Sequence, residues 1–134
     1  GVRAWSREEA TFSENDNRVL THLASDILAV SNGQKVWESL MDELSMISGP
    51  VWISVDIDVL DGYLVPSTGT PVPGGLSWWH LESALATIFE SKNCNVLGAD
   101  VVETVPDIEG SLTPFTAAMI ATRLVGGHIH RSIQ

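Results

Sequence analysis

Three aspartates follow an apolar run near the middle of the chain. The run is Val51 to Val55, and Asp56, Asp58 and Asp61 come directly after it. Carboxylates placed side by side repel each other and raise each other's pKa, and a divalent cation removes that cost. We therefore interpret Asp56 and Asp58 as metal ligands that share one face of the strand end, and Asp61 as a residue that orients them or caps the following loop. The alternative is a pair of turn-forming aspartates.

A further acidic residue, Glu103, ends a second apolar run. This run, Asn95 to Val102, is typical of a buried strand, as is the first. The carboxyl ends of parallel strands open on one edge of a sheet, so we expect Glu103 to face the same crevice as Asp56. A carboxylate there suits a cationic group such as guanidinium, with which it forms planar bidentate pairs. A glutamate that only caps a helix or lies on the surface is the alternative.

Helices and loops that position these carboxylates alternate with the two strands. A loop rich in proline and glycine, Gly62 to Gly75, follows the first acidic tip. Capping residues before apolar residues spaced by three and four predict four helices, which open near Ser6, Asn32, Ser77 and Thr113. The last helix is expected to run from Phe115 to about Val125 and to end at Gly126-Gly127. Gly1 to Trp5 is a weaker candidate for a strand. Thr21 to Val30 is ambiguous, because Leu20, Leu23 and Ile27 fit a helical face while Thr21 to Ala24 fits a short strand.

This alternation predicts an α/β fold with three layers, α/β/α, around a parallel sheet. The run Val51 to Val55 is apolar on both faces apart from Ser54, so we expect both faces of the sheet to be covered. The length of 134 residues suits a single domain.

The composition restricts the partners and the compartment. The formal net charge is −10, from 17 Asp and Glu against 7 Lys and Arg, which argues against nucleic acid as a partner. It is compatible with a cationic ligand or a metal, and equally with an acidic surface that serves solubility alone. No apolar run approaches the roughly 18 residues of a membrane span, which predicts no membrane contact. A single cysteine, Cys94, allows no internal disulfide and favours a cytoplasmic protein.

The histidines and the remaining acids are weaker candidates for ligands. His22 and His80 are interpreted as surface or core residues, and His128 and His130 as part of a tail after the last helix. Asp107 and Glu109 belong to a predicted polar loop, Pro106 to Ser111.

Several blocks taken together resemble the ureohydrolase family, which includes arginase, agmatinase and related amidinohydrolases. In chain order they are Ser54 to Asp61, Val65 to Pro71, Pro73 to Ser77 and Gly98 to Glu103. The resemblance is to the C-terminal half of a ureohydrolase domain, and it spans residues 1–134 because Gly1-Val2-Arg3 is similar to a Gly-x-Arg strand in the family's middle.

The resemblance implies a binuclear manganese centre, which activates a bridging water for attack on a guanidinium carbon and releases urea and an amine. By position, Asp56 would bridge the two metals and Asp58 would bind one of them. Glu103 resembles the family's guanidinium-binding glutamate, and Thr70 resembles a hydroxyl residue that lines its pocket. Nothing in this half resembles the family's catalytic histidine, so no catalytic residue is assigned here.

Some details bear on the branch of the family. The stretch Asp56 to Leu60 is similar to agmatinases and bacterial members, and Ser6 stands where arginases carry an acidic substrate contact. The block Thr68 to Pro71 differs from the formimidoylglutamase branch. Where the family usually has Asp-Pro this chain has Asp61-Gly62, and Val105 replaces an Asn before the next proline. These changes are expected to alter loop stiffness more than ligation.

The family's remaining metal ligands, two histidines and two aspartates of its N-terminal half, have no counterpart here. Two carboxylates are too few for a binuclear site, so the chain is expected to be inactive alone, as a fragment or as one polypeptide of a split enzyme. Its expected partners are that N-terminal half or a complementary subunit, a small cationic guanidino substrate and further copies in a homo-oligomer. The alternatives are a non-catalytic, ureohydrolase-like regulatory partner and an unrelated α/β domain that matches by chance.

Overall fold

Two parallel strands, β1 (Gly49–Asp56) and β2 (Cys94–Val102), form the sheet of this protein. The computed structural model describes residues 1–106 and 110–133, without the side chain of Ser132. Asp107 and Glu109 of the predicted polar loop lie outside the described residues. Ser54 pairs with Asp100 and Asp56 with Val102, so both strands end at one edge of the sheet. The α/β fold with a parallel sheet is therefore confirmed.

Five helices accompany the sheet in the described part of the chain. They are α1 (Arg7–Asn15), α2 (Ala24–Ile27), α3 (Gly33–Ser45), α4 (Trp78–Glu90) and α5 (Leu112–Ile133). The Ser6 side chain accepts from Glu9 N, and the Glu9 side chain accepts from Ser6 N, which forms the predicted capping box of α1. No helix in the described ranges is long and apolar enough to span a membrane.

The two weaker strand candidates do not form strands. Val2 and Leu23 make one isolated parallel bridge, and Ala24 N donates to the Val2 carbonyl at 3.0 Å. The chain then enters α2 at Ala24, because the carbonyl of Leu23 is taken up by Ile27 N in the first helical turn.

The predicted end of the last helix at Gly126-Gly127 is wrong, since α5 continues to Ile133. A Cβ atom at Gly127 would overlap the ring of Phe89, so this glycine allows α5 to pack closely on α4. His128 and His130 consequently lie on a helix and not in a tail. Thr113 is also misplaced in the prediction: it lies within the first turn of α5 and does not cap it.

The core lies on one face of the sheet, and the other face is open. Ile53 and Val55 of β1 pack with α4 and α5 through buried residues that include Leu81, Leu85, Ile120 and Leu124. On the opposite face Ser54 and Asp56 are exposed and Trp52 is 63% exposed. The expectation that β1 is covered on both faces is therefore wrong for this chain, because none of its described helices packs against the face that carries Trp52.

Candidate functional site

The two aspartates at the end of β1 come together through a turn. Asp56 is the last residue of β1, and Asp58 lies in a short 3-10 helix, Ile57–Val59. Asp56 Oδ1 accepts a hydrogen bond from Asp58 N at 3.1 Å, which closes this turn. The prediction that both residues share a face of one strand is wrong, because the backbone leaves the extended conformation directly after Asp56. The two residues are nevertheless close together, because the Asp56 side chain is bonded to the Asp58 backbone in this turn.

Contacts from two other segments hold Asp58. The Thr70 hydroxyl donates to Asp58 Oδ2 at 2.9 Å. The Arg3 guanidinium donates to the backbone carbonyls of Asp58 and Val59, the latter at 3.1 Å. Sequence reasoning missed this role of Arg3, and its only signal was the Gly1-Val2-Arg3 block. The N-terminal segment thereby supports the turn that presents both aspartates.

Asp61 ties down the glycine-rich end of the long loop. Its Oδ2 accepts from Gly74 N at 2.7 Å and from Gly75 N at 3.0 Å, and its Oδ1 accepts from Tyr63 N at 3.2 Å. The hydrogen bond from Tyr63, with those from the two glycines and the charge of Arg3, lowers the pKa of Asp61. Asp61 therefore caps the loop, and its predicted action on a metal ligand stays a prediction.

Glu103 lies just beyond β2, which ends at Val102. Partial desolvation of its carboxyl group raises the pKa of Asp56, and the negative charges of Asp58 and Glu103 raise it further, while the hydrogen bond from Asp58 N acts in the opposite direction. Asp56 pairs with Val102, the residue before Glu103, so Asp56 and Glu103 lie at one sheet edge, as expected from the parallel strands, and Asp58 follows in the turn. Such repulsion is relieved when a cation binds between the carboxylates.

A fourth carboxylate, Asp100, lies on the open face of the sheet beside this edge. Its Oδ1 accepts from the Ser54 hydroxyl at 2.6 Å, and its Oδ2 accepts from Trp52 Nε1 at 2.7 Å. These bonds, of which that from Ser54 has the larger effect, lower the pKa of Asp100. The Trp52 ring lies over Gly98, where a Cβ atom would overlap it. Sequence reasoning assigned Asp100 no partner, because the pairing of Ser54 with Asp100 depends on the register of the two strands.

A cleft of about 410 Å³ adjoins the turn and contains both Asp58 and Thr70. Its other lining residues come from the N-terminal segment and the loop: Gly1, Val2, Arg3, Ala4 and Val72. The cleft thus joins a predicted metal ligand to a predicted substrate contact. Two histidines have other partners: His80 Nδ1 accepts from Ser77 N at 3.2 Å at the start of α4, and His22 Nε2 lies 2.8 Å from Glu43 Oε2.

The carboxylates at the edge are of the type that binds a hard divalent cation, but they are too few to form a complete site. Carboxylate oxygens suit cations such as magnesium and manganese, and the repulsion on Asp56 favours such a cation. Among residues 1–106 and 110–133 there is no group of three or more His, Cys, Asp or Glu side chains that could hold a metal. Asp56 and Asp58 would therefore supply part of a coordination shell.

The model of the Arginase family matches residues 1–126 of the sequence. The chain belongs to this family. An agmatinase of Pyrococcus horikoshii is 36% identical over 126 residues, which are 94% of this chain and 41% of that protein. An N(1)-aminopropylagmatine ureohydrolase of Thermococcus kodakarensis is 32% identical over 94% of this chain and 40% of its own length.

Solved structures of this family share the fold. The agmatine ureohydrolase of Thermoplasma volcanium superposes with a TM-score of 0.72 at 28% identity, over 94% of this chain and 40% of that one. The chain thus spans about two fifths of the length of these two relatives and of this structure. The resemblance to ureohydrolases is confirmed, and the fold is that of part of an arginase-family α/β domain.

Proposed function

We propose that this chain is part of a manganese-dependent ureohydrolase, which hydrolyses a guanidino compound to urea and an amine. The observation that carries the proposal is that Asp56 ends β1 and Glu103 follows β2 at one edge of the sheet, with Asp58 bonded to Asp56 in the turn after β1. Agmatinases and an aminopropylagmatine ureohydrolase among the relatives favour a decarboxylated guanidino substrate over arginine. Ser6, which stands where arginases carry an acidic contact, favours the same substrates.

Each carboxylate has a separate task in this proposal. Asp56 and Asp58 would hold the metal, and the chemistry that manganese supplies in such sites is activation of a water molecule as a nucleophile. Glu103, whose side chain is exposed beside them, would bind the planar guanidinium through paired hydrogen bonds. Thr70 would line the same pocket while its hydroxyl fixes one oxygen of Asp58.

The site would be completed by a polypeptide that supplies the rest of the family domain, as an N-terminal half of the same protein or as a complementary subunit. Two features support such a partner. In the described part of the chain β1 and β2 pair only with each other, so each has an unpaired edge. A groove of about 570 Å³ lies between β2 and α5, and its wall includes Leu97, Val101, Val125 and Ile129. We keep a cytoplasmic location and a homo-oligomeric assembly as predictions.

The test is to combine this chain with a polypeptide that supplies the rest of the domain, here called the complementary half, and with Mn²⁺. Urea release is then measured from agmatine, aminopropylagmatine and arginine. We expect urea from the first two, loss of bound manganese in Asp56→Asn and Asp58→Asn, and loss of activity with manganese retained in Glu103→Gln. Asp42→Asn, at an exposed position on α3, is the control. A folded, manganese-loaded assembly that releases no urea from any guanidino compound would contradict the proposal.

A non-catalytic partner subunit is the second candidate, and the open sheet face around Trp52 favours it as a surface for binding another protein. A native assembly that is stable and contains no manganese would support this alternative.

A further inference from the structure

Glu103 has an unusual backbone conformation. Its φ is +62°, and among the described residues it is the only one other than glycine with positive φ. The left-handed region is unfavourable for residues with a Cβ atom, and such a conformation persists only where neighbouring contacts impose it. The long loop after β1 makes such contacts with Glu103 and with the residue that follows it.

Hydrogen bonds join the loop to the segment after β2 at this point, and we call the joined residues Ser67, Thr68 and Glu103 to Val105 the clip. Thr68 and Thr104 form an isolated antiparallel bridge, and Val105 N donates to the carbonyl of Ser67 at 3.2 Å. The Thr68 hydroxyl donates to the carbonyl of Glu103 at 2.9 Å. Hydrogen bonds from the loop therefore act on Glu103 itself and on the two residues that follow it.

The clip is anchored in the core and not in solvent. Ser67 N donates to the hydroxyl of Thr113 at 2.9 Å, and Thr113 is 0% exposed in the first turn of α5. Ser67 and Thr68 are buried as well. A buried hydroxyl without its partner costs free energy, so the Thr68 hydroxyl favours the arrangement in which Glu103 presents its carbonyl.

Gly69 adds a steric requirement beside the glutamate. A Cβ atom at residue 69 would lie 3.1 Å from Oε2 of Glu103, which is closer than an ordinary van der Waals contact. The backbone of Gly69 has no positive φ that would by itself demand glycine. The missing side chain instead leaves room for the Glu103 carboxylate in its observed place.

We propose that Thr68 and Gly69 are positioning residues for Glu103. The Thr68 hydroxyl, by its hydrogen bond to the Glu103 carbonyl, holds the Glu103 backbone in the left-handed conformation. Gly69, which has no side chain, leaves space for the Glu103 carboxylate near the sheet edge that carries Asp56. The proposal assigns neither residue a contact with the substrate. The inference rests on the proposed function in one respect, namely that Glu103 is the group that binds the substrate.

The kinetic test uses the assembly of this chain with the complementary half and manganese, with agmatine as the substrate. Thr68→Val replaces the hydroxyl by a methyl group, and Thr68→Ser retains the hydroxyl. We expect Thr68→Val to raise KM about tenfold with unchanged manganese content, as for one lost positioning hydrogen bond, and Thr68→Ser to keep KM within about twofold. Gly69→Ala should raise KM as well. It leaves every hydrogen bond of the clip in place and so serves as the second variant if Thr68→Val does not fold.

Gly62→Ala is the matched control, because it changes a glycine of the same loop where a Cβ atom would meet only Pro71 at 3.7 Å, an ordinary contact. It should leave KM unchanged. A merely structural role of Thr68 would lower the melting temperature of Thr68→Val without changing KM, and that result would overturn the proposal.

A second readout separates this inference from the proposed function. Crystal structures of the chain should show φ of Glu103 near +62° in Thr68→Ser and outside the left-handed region in Thr68→Val. Absence of urea release from the wild-type assembly would reject the proposed function, and the crystal structures would still test the clip. An unchanged φ of Glu103 and an unchanged carboxylate position in both Thr68→Val and Gly69→Ala would overturn the positioning role.

Discussion

The Thr70 hydroxyl donates a hydrogen bond to Oδ2 of Asp58 over 2.9 Å, and so joins the long loop to the turn after β1. If Asp58 is a metal ligand, this hydrogen bond occupies Oδ2, leaves Oδ1 available to the metal and fixes the plane of the carboxylate. Outer contacts of this kind orient ligands, and their loss lowers metal affinity by about 10- to 100-fold.

We therefore predict that Thr70→Val weakens manganese binding by about tenfold in the assembly with the complementary half, and that Thr70→Ser does not. The manganese affinity of both variants is measured by titrating Mn²⁺ into the assembly and monitoring urea release. Equal manganese affinity in the two variants would show that Thr70 does not orient Asp58.

Removal of the Asp61 carboxylate should loosen the loop and destabilise the protein. Asp61→Ala loses the bonds from Gly74 N, Gly75 N and Tyr63 N. Because the carboxylate is partly solvated, we expect a loss of about 1 kcal/mol in the free energy of unfolding, measured by urea denaturation. Asp42→Ala, at an exposed position on α3, is the control and should not lower the free energy of unfolding. An unchanged free energy of unfolding in Asp61→Ala would argue against a role of Asp61 in the loop.

Two aspartates of the site region should respond to pH in opposite directions. Asp56 has a raised pKa, so the folded, metal-free chain holds the Asp56 proton more tightly than the unfolded chain. Stability therefore falls as pH rises from the unfolded-state pKa of Asp56 through its folded-state pKa. Asp56→Asn removes this loss, and we expect a gain of about 0.5 kcal/mol at pH 7 because solvent screens the exposed carboxylate. The Asn side chain can still accept from Asp58 N. Urea denaturation in the presence of a chelator measures the gain.

Asp100 provides the opposite case. Its pKa is lowered by hydrogen bonds from Ser54 and Trp52, so its contribution to stability is present above the ordinary aspartate value of about 3.9 and is lost as pH falls through the lowered value. Asp100→Asn should therefore destabilise the chain at pH 7 and reduce its acid sensitivity. If both variants destabilise the chain at pH 7, the Asp56 assignment is contradicted, and if both stabilise it, the Asp100 assignment is contradicted.

The glycine pair in α5 allows a matched test of helix continuity. A Cβ atom at Gly126 meets nothing within 4 Å, so Gly126→Ala should stabilise the helix by about 0.5–1 kcal/mol. A Cβ atom at Gly127 would overlap the ring of Phe89, so Gly127→Ala should destabilise the protein by about 1–3 kcal/mol. Thermal unfolding of both variants gives the comparison. If the helix ended at this pair, neither substitution would have these effects.

Local patterns in the sequence predicted much of the fold because the interactions behind them are local. Ser6 and Ser77 cap their helices through backbone groups only three residues away. The apolar run before Asp56 forms β1, and the run before Glu103 forms β2, so both acids follow strand ends as expected. Parallel pairing then brings those ends to one edge, which is why the meeting of Asp56 and Glu103 was predictable.

Contacts between distant segments explain the errors. α5 passes through Gly126-Gly127 because Phe89 on another helix fills the space beside Gly127. Arg3 supports the turn at Asp58 from a position 55 residues away in the chain. The open face around Trp52 was likewise missed. The composition of a strand shows that it is apolar, but it does not show which residues pack against it.

From residue order alone follow the family, the parallel α/β arrangement and the acidic residues at the two strand ends, since these depend on periodicity, capping and short blocks. The conformation of Glu103 depends on the folded chain, because Thr68 acts on it across 35 residues of sequence. The approach of Asp58 to Asp56 through a turn depends in the same way on support from Arg3 and Thr70. Such contacts form only when separate segments pack together, and no local pattern of residues encodes them.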